Sequence, residues 1–227
     1  MKIINEKDVD RSKLFMRELN SANVGETVTA IIRDVAKNGD AALFAYAKKF
    51  DRAELTALEV TAEEMEAALK DIPADLLSAM QTAAGNIRAY HAMQVRKGFC
   101  IRREDGTYMG QKVTPIEKVG LYIPGGTASY PSTVFMNAIP AKLAGCGEIV
   151  MTSPPSSDGK IAAPILAAAK IAGVDRVFKS GGAQAIAALA YGTQTVQKVD
   201  KIVGPGNAYV DLVNLLDRLC AVRKRGN

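Results

Sequence analysis

Val119-Gly120-Leu121-Tyr122-Ile123-Pro124-Gly125-Gly126 is a short apolar run that stops in a proline-glycine turn, and the same pattern returns three times downstream. Glu148 to Thr152 runs into Ser153-Pro154-Pro155, Arg176 to Phe178 leads to Ser180-Gly181-Gly182, and Lys201 to Val203 ends in Gly204-Pro205-Gly206. With Val119, Ile149, Val177 and Ile202 as markers, the steps are 30, 28 and 25 residues, each suited to one strand-helix unit. Helical stretches at Thr133 to Ala144, Ile161 to Ala172 and Ala183 to Tyr191 fill the intervals. Alternating units of this kind predict a parallel sheet covered by helices on both faces, a three-layer α/β domain.

Upstream the texture is helical. Val28, Ile31, Ile32 and Val35 recur at helical spacing, Asn38-Gly39 punctuates, and Asp40 is predicted to cap a run holding Leu43, Phe44 and Ala47. Thr61 and Glu64 fit a capping box ahead of Met65, Ala68 and Leu69. Pro73 opens a longer helix through Leu76, Leu77, Met80, Ala84, Ile87 and Tyr90. Asp105-Gly106, between Cys100-Ile101-Arg102 and Tyr108-Met109, is the best short hairpin signal in the chain. The expected organisation is a helical region with a hairpin connector at 1–117, an α/β domain at 118–210 and a basic helical tail at 211–227.

Composition narrows the class. Of 227 residues 48% are hydrophobic and 23% charged, which excludes a disordered or collagenous chain. Cys100, Cys146 and Cys220 form no CxxC pair and no even-numbered framework, so a disulfide-stapled fold and a closed thiolate site are excluded and a reducing compartment is expected. The N-terminal stretch breaks every apolar run too soon for a secretory signal, and no window approaches the ~18 apolar residues of a membrane span. A cytoplasmic protein with no membrane partner is expected. The net charge is 29 Lys plus Arg against 24 Asp plus Glu, or +5, and Arg218, Arg223, Lys224 and Arg225 against Asp211 and Asp217 supply +2 of it. Bases elsewhere are interleaved with acids, so no nucleic-acid partner is expected.

In a parallel sheet the four small-residue turns gather at the carboxyl edge, where open α/β folds bind ligands. Glycines there let backbone amides approach an anion, and helix N-termini favour negative charge. The same residues also end strands for turn geometry alone, and both accounts stay open on the turns themselves. None of the turns is a GxGxxG fingerprint or a Walker loop, and no acidic residue stands out as a ribose clamp. His91 is the sole imidazole, at the end of the long helix, where complementing the helix dipole is the ordinary role. Cys146 falls before a strand, at the amino edge, and reads as an incidental thiol. One His with no nearby ligand partner gives no visible metal site. No catalytic residue is assigned.

Gly120-Leu121-Tyr122-Ile123-Pro124-Gly125-Gly126, Gly145-Cys146, Ser153-Pro154-Pro155, the run from Gly181-Gly182-Ala183-Gln184 to Tyr191-Gly192-Thr193, and Val199-Asp200-Lys201-Ile202-Val203-Gly204-Pro205-Gly206-Asn207 together closely resemble histidinol dehydrogenase. Gly39-Asp40-Ala41-Ala42-Leu43, Phe50-Asp51 and His91-Ala92-Met93-Gln94 extend the resemblance upstream, so that it runs from about residue 5 to Val210. It implies a Rossmann-like, aldehyde-dehydrogenase-like α/β fold and a two-step, NAD-dependent oxidation of L-histidinol to L-histidine by a zinc-dependent homodimer. It also implies that Tyr122, Gln184 and Asn207 contact NAD.

After Val210 the chain departs from the family, which continues for roughly another domain with the zinc ligands, the acids that bind substrate and the proton-transferring histidines. No counterparts are identifiable in this chain. The expectation is a truncated member, inactive alone, that associates with a second copy or with the missing half. The competing expectation is a non-catalytic dinucleotide-binding or interaction module derived from the enzyme.

Overall fold

The computed structural model describes residues 22–125 and 130–205, with side chains from residue 25. In chain order these form α1 (Ala22–Asn38), α2 (Asp40–Tyr46), a π-helical turn (Ala47–Asp51), α3 (Ala62–Asp71), α4 (Ala74–Ala92) and the hairpin strands β1 (Phe99–Arg102) and β2 (Tyr108–Gln111). The alternating part follows: β3 (Lys118–Tyr122), α5 (Pro131–Leu143), β4 (Glu148–Ser153), α6 (Ala163–Ala172), β5 (Arg176–Lys179), α7 (Gly182–Tyr191) and β6 (Lys201–Val203). Every strand and helix expected in this part is present, with its ends displaced by two residues at most. The tail at 211–227 lies outside the described residues.

The four-stranded sheet has the order β5-β4-β3-β6 and is parallel throughout. Such a sheet must be covered on both faces, which is why its strands read as unbroken apolar runs. Alternation along each strand divides them between two cores. Leu121, Ile149, Met151 and Val177 face a layer built from α3, α4, α5 and α6. Tyr122, Val150 and Phe178 face the opposite layer, which holds Val28, Ile31 and Val35 of α1, Leu43 of α2 and most of α7. Helices preceding residue 118 therefore contribute to both outer layers.

Local chemistry explains the junctions. Thr61 and Glu64 form both halves of the capping box at α3. Residues 58–60 lie antiparallel along β5, with Val60 N–H donating to the Val177 carbonyl at 2.9 Å and Lys179 N–H to the Leu58 carbonyl at 2.7 Å. That short segment covers an edge that would otherwise offer unpaired backbone groups. Glu59 adds a two-point ion pair to Arg176, both contacts at 2.8 Å, while the guanidinium lies over the Phe178 ring.

Asp40 corrects a sequence expectation. The N-cap of α2 is Gly39, with no side-chain cap, and the Asp40 carboxylate instead accepts from the Thr193 and Thr195 hydroxyls and the Thr195 N–H. It ties α2 to the loop after α7. In the hairpin, Gly106 alone adopts positive φ and Arg103 pairs with Thr107, so three residues make the loop around Asp105-Gly106.

Candidate functional site at the carboxyl edge

Two strand connections diverge above β3: the chain steps from β3 to β4 and β5, then returns through α7 to β6 on the other side. The carboxyl ends at such a reversal form the crevice where open α/β sheets bind ligands. Among the described residues the buried polar ones, Thr152, Ser153, Lys179, Ser180 and Gln184, all cluster at the ends of β4 and β5 and the start of α7. Polar groups are costly to bury, so their concentration at one edge marks it as chemically distinct from the core.

Tyr122 ends β3 and is only 5% exposed. Its phenol oxygen accepts from the Gly182 N–H at 3.2 Å, at the first turn of α7. Burial raises the phenol above its ordinary value, opposed by that hydrogen bond and reinforced by the nearby charge of Asp51. Gln184 lies two residues further along α7, 4% exposed, with its amide folded back over Gly182. Gly182 has a φ of 61°, and a Cβ there would come within 2.9 Å of Gln184 Oε1. Tyr122 and Gln184 thus meet at one glycine. Asn207 lies outside the described residues.

Beside them is a cavity of about 390 Å³ lined by Asp51, Pro124, Gly125, Ser153 to Ser156, Ile161, Ala162 and Ile165. That volume falls in the range of about 300–1,000 Å³ typical of small-molecule sites. Its walls are the turn after β3, the turn after β4, the entrance to α6 and the last residue of the π-helical turn. The glycines of these turns have a packing role as well: a Cβ at Gly125 would lie 2.4 Å from Cγ of Pro154, and one at Gly181 2.5 Å from its Cβ. Pro154 is clasped between two turns, so the rim is one packed unit.

Asp51 is the residue that sequence reasoning passed over as a clamp, although Phe50-Asp51 stands among the family-like motifs. It closes a π-helical turn, a geometry that recurs at functional sites, and is followed by Arg52 in the left-handed region at φ 57°. Its Oδ2 is buried without a hydrogen-bond partner. Burial pushes the carboxyl up to about 6.

The other candidates sit elsewhere. His91 Nδ1 is 2.7 Å from Gln94 Oε1 in the last turn of α4, and its ring meets Tyr90 edge-on. Cys146 precedes β4 at the amino edge, and burial pushes its thiol up, away from the reactive thiolate form. Lys179 is engaged by Glu64 at 2.6 Å, so the capping acid of α3 also neutralises a cation at the end of β5. Among the described residues no three His, Cys, Asp or Glu side chains converge to hold a metal ion. This donor set does not fit zinc.

The histidinol dehydrogenase family model matches residues 15–216. The histidinol dehydrogenase of Clostridium acetobutylicum is 49% identical over 215 residues, covering 92% of this chain and 50% of the relative. That of Geobacillus kaustophilus is 55% identical over 185 residues, covering 82% and 44%. A crystal structure of histidinol dehydrogenase from Elizabethkingia anophelis superposes with a TM-score of 0.83 at 40% identity, covering 86% of this chain and 45% of that one. The chain spans about half the length of the curated relatives it matches.

Proposed function

The chain belongs to the histidinol dehydrogenase family, and from that premise we propose that its carboxyl-edge rim holds NAD for the oxidation of L-histidinol to L-histidine. The observation that carries this is the meeting of Tyr122 and Gln184 at Gly182, beside a cavity formed by the strand-end turns. When bound, the nicotinamide would accept hydride from the alcohol. The residues would suit that group: Tyr122 and Gln184, packed behind the cavity lining, would read its polar edges, the small-residue turns would admit it, and Pro154, Ile161 and Ile165 would give it apolar contacts. Asn207 completes the proposed set from beyond β6.

The alcohol chemistry needs an acid-base group and, in this family, zinc. The described residues bring no cluster of metal ligands to the rim, and Asp51 is the one carboxyl among them that lines its cavity, so the expected behaviour of this chain is dinucleotide binding without turnover. Phe99, Ile101, Tyr108 and Met109 leave the hairpin apolar and exposed, which supports association with a second copy or with the additional sequence that the longer relatives carry. A cytoplasmic location belongs to the same proposal. No helix among the described residues is long and apolar enough to cross a membrane.

Titrating NAD into the purified chain, then assaying NADH formation from histidinol with zinc added, tests the reading. Saturable binding without NADH is expected. NADH formed by this chain alone would refute the division of labour, and absence of binding would refute the site.

A further inference from the structure

We infer that Asp51 is the acid that holds a ribose hydroxyl pair of the bound dinucleotide and thereby selects NAD over NADP. The inference rests on the NAD reading of the rim. Three observations converge on it. Asp51 lines the 390 Å³ cavity beside the turns after β3 and β4. Its Oδ2 is the one buried side-chain oxygen or nitrogen among the described residues that lacks a hydrogen-bond partner. A carboxylate kept in that state costs stability, and folds retain such groups where a ligand completes them. It is presented by a π-helical turn closed by left-handed Arg52, an uncommon backbone that fixes where the side chain begins.

The chemistry of the lining selects the part of the ligand. Among the described residues no Lys or Arg lines this cavity, whose other polar side chains there are Ser153 and Ser156. A pyrophosphate would meet a carboxylate with no cation to offset it, so the moiety beside Asp51 must be uncharged and rich in donors. A ribose diol is both, and a carboxylate with a free oxygen accepts from hydroxyls that it cannot find in the protein. A 2′-phosphate at the same point places like charges in contact, which disfavours NADP.

Calorimetric titration of the full chain at pH 8 with NAD and with NADP tests this on wild type, Asp51→Ala and Asp51→Asn. Wild type is expected to bind NAD and reject NADP. Both variants should lose at least about 10-fold in NAD affinity, and Asp51→Asn should narrow the NAD-to-NADP ratio by a similar factor because the repelling charge is gone. Far-UV circular dichroism checks that both variants are folded, and Asp51→Asn keeps the shape if Asp51→Ala does not. Unchanged NAD affinity in the folded variants overturns the assignment while leaving the NAD site intact. Weakened NAD binding with an unchanged NADP ratio overturns the ribose contact. A wild type that binds neither dinucleotide overturns the underlying reading, and this inference with it.

Discussion

The phenol oxygen of Tyr122 accepts a hydrogen bond from the backbone N–H of Gly182, linking the end of β3 to the first turn of α7 across 60 residues of sequence. The hydroxyl serves as a remote cap for a helix whose own N-cap, Gly181, supplies no side chain. Tyr122→Phe keeps the packed ring and strands that N–H. The expected cost is about 1 kcal/mol, a fall of roughly 2–4 °C in Tm, together with weaker NAD binding, since Gln184 is positioned over the same glycine. A variant with unaltered Tm and affinity would show the contact to be idle.

Pro154 makes the two neighbouring glycines unequal in a testable way. A Cβ at Gly125 meets Cγ of that ring, whereas one at Gly181 meets its Cβ. Gly125→Ala and Gly181→Ala should each destabilise by about 1–3 kcal/mol through overpacking. Pro154→Ala removes Cγ and keeps Cβ, so it should relieve Gly125→Ala and leave Gly181→Ala uncorrected. Urea denaturation of the singles and doubles measures the coupling directly.

The Glu59–Arg176 pair gives an acid-sensitive latch on the β5 edge. The Arg176 hydrogen bonds hold the Glu59 carboxyl below its ordinary value, outweighing the upward push of burial. Because the folded value is depressed, the stabilisation is present above about pH 4.5 and is lost as pH falls through the folded value. Glu59→Gln should cost at most about 1 kcal/mol at pH 7, as the pair is partly solvated. Its Tm difference from wild type should vanish in acid. A constant difference from pH 3 to pH 7 would contradict the linkage.

Asp51 behaves with the opposite sign. Its folded value is raised from 3.8 to about 6, so the native state binds the extra proton and stability falls as pH rises across that window. Asp51→Asn should match wild type near pH 4 and exceed it at pH 8 by about 1 kcal/mol, a figure held down by the open side of the cavity. Thermal melts at the two pH values check it. Gain of stability with loss of ligand is the usual mark of a group kept for function.

Much of this fold was legible because its strands are buried on both faces and bounded by glycine and proline, which leaves the ends of β3 to β6 little room to slip. The capping box at Thr61 was legible for the same reason, since all its partners lie within four residues. Asp40 was misjudged because its partners, Thr193 and Thr195, lie more than 150 residues away, and a local capping rule cannot see them. The segment 58–60 has no periodicity at that length. Asp51 was invisible as a clamp because its distinguishing property is the absence of a partner in space, which no spacing encodes. Tyr122 and Gln184 were read from family motifs, and their meeting at Gly182 is a fact of three dimensions.

The division of the cores between early and late sequence has a consequence for biosynthesis. The helices translated first, carrying Val28, Val35, Leu43, Ala68 and Met80, find most of their mates on α5, α6 and α7, which emerge much later. A nascent chain halted near residue 115 would therefore display greasy stripes with nothing to seat them, a natural substrate for chaperones. Cooperative closure must wait until the sheet has left the ribosome tunnel.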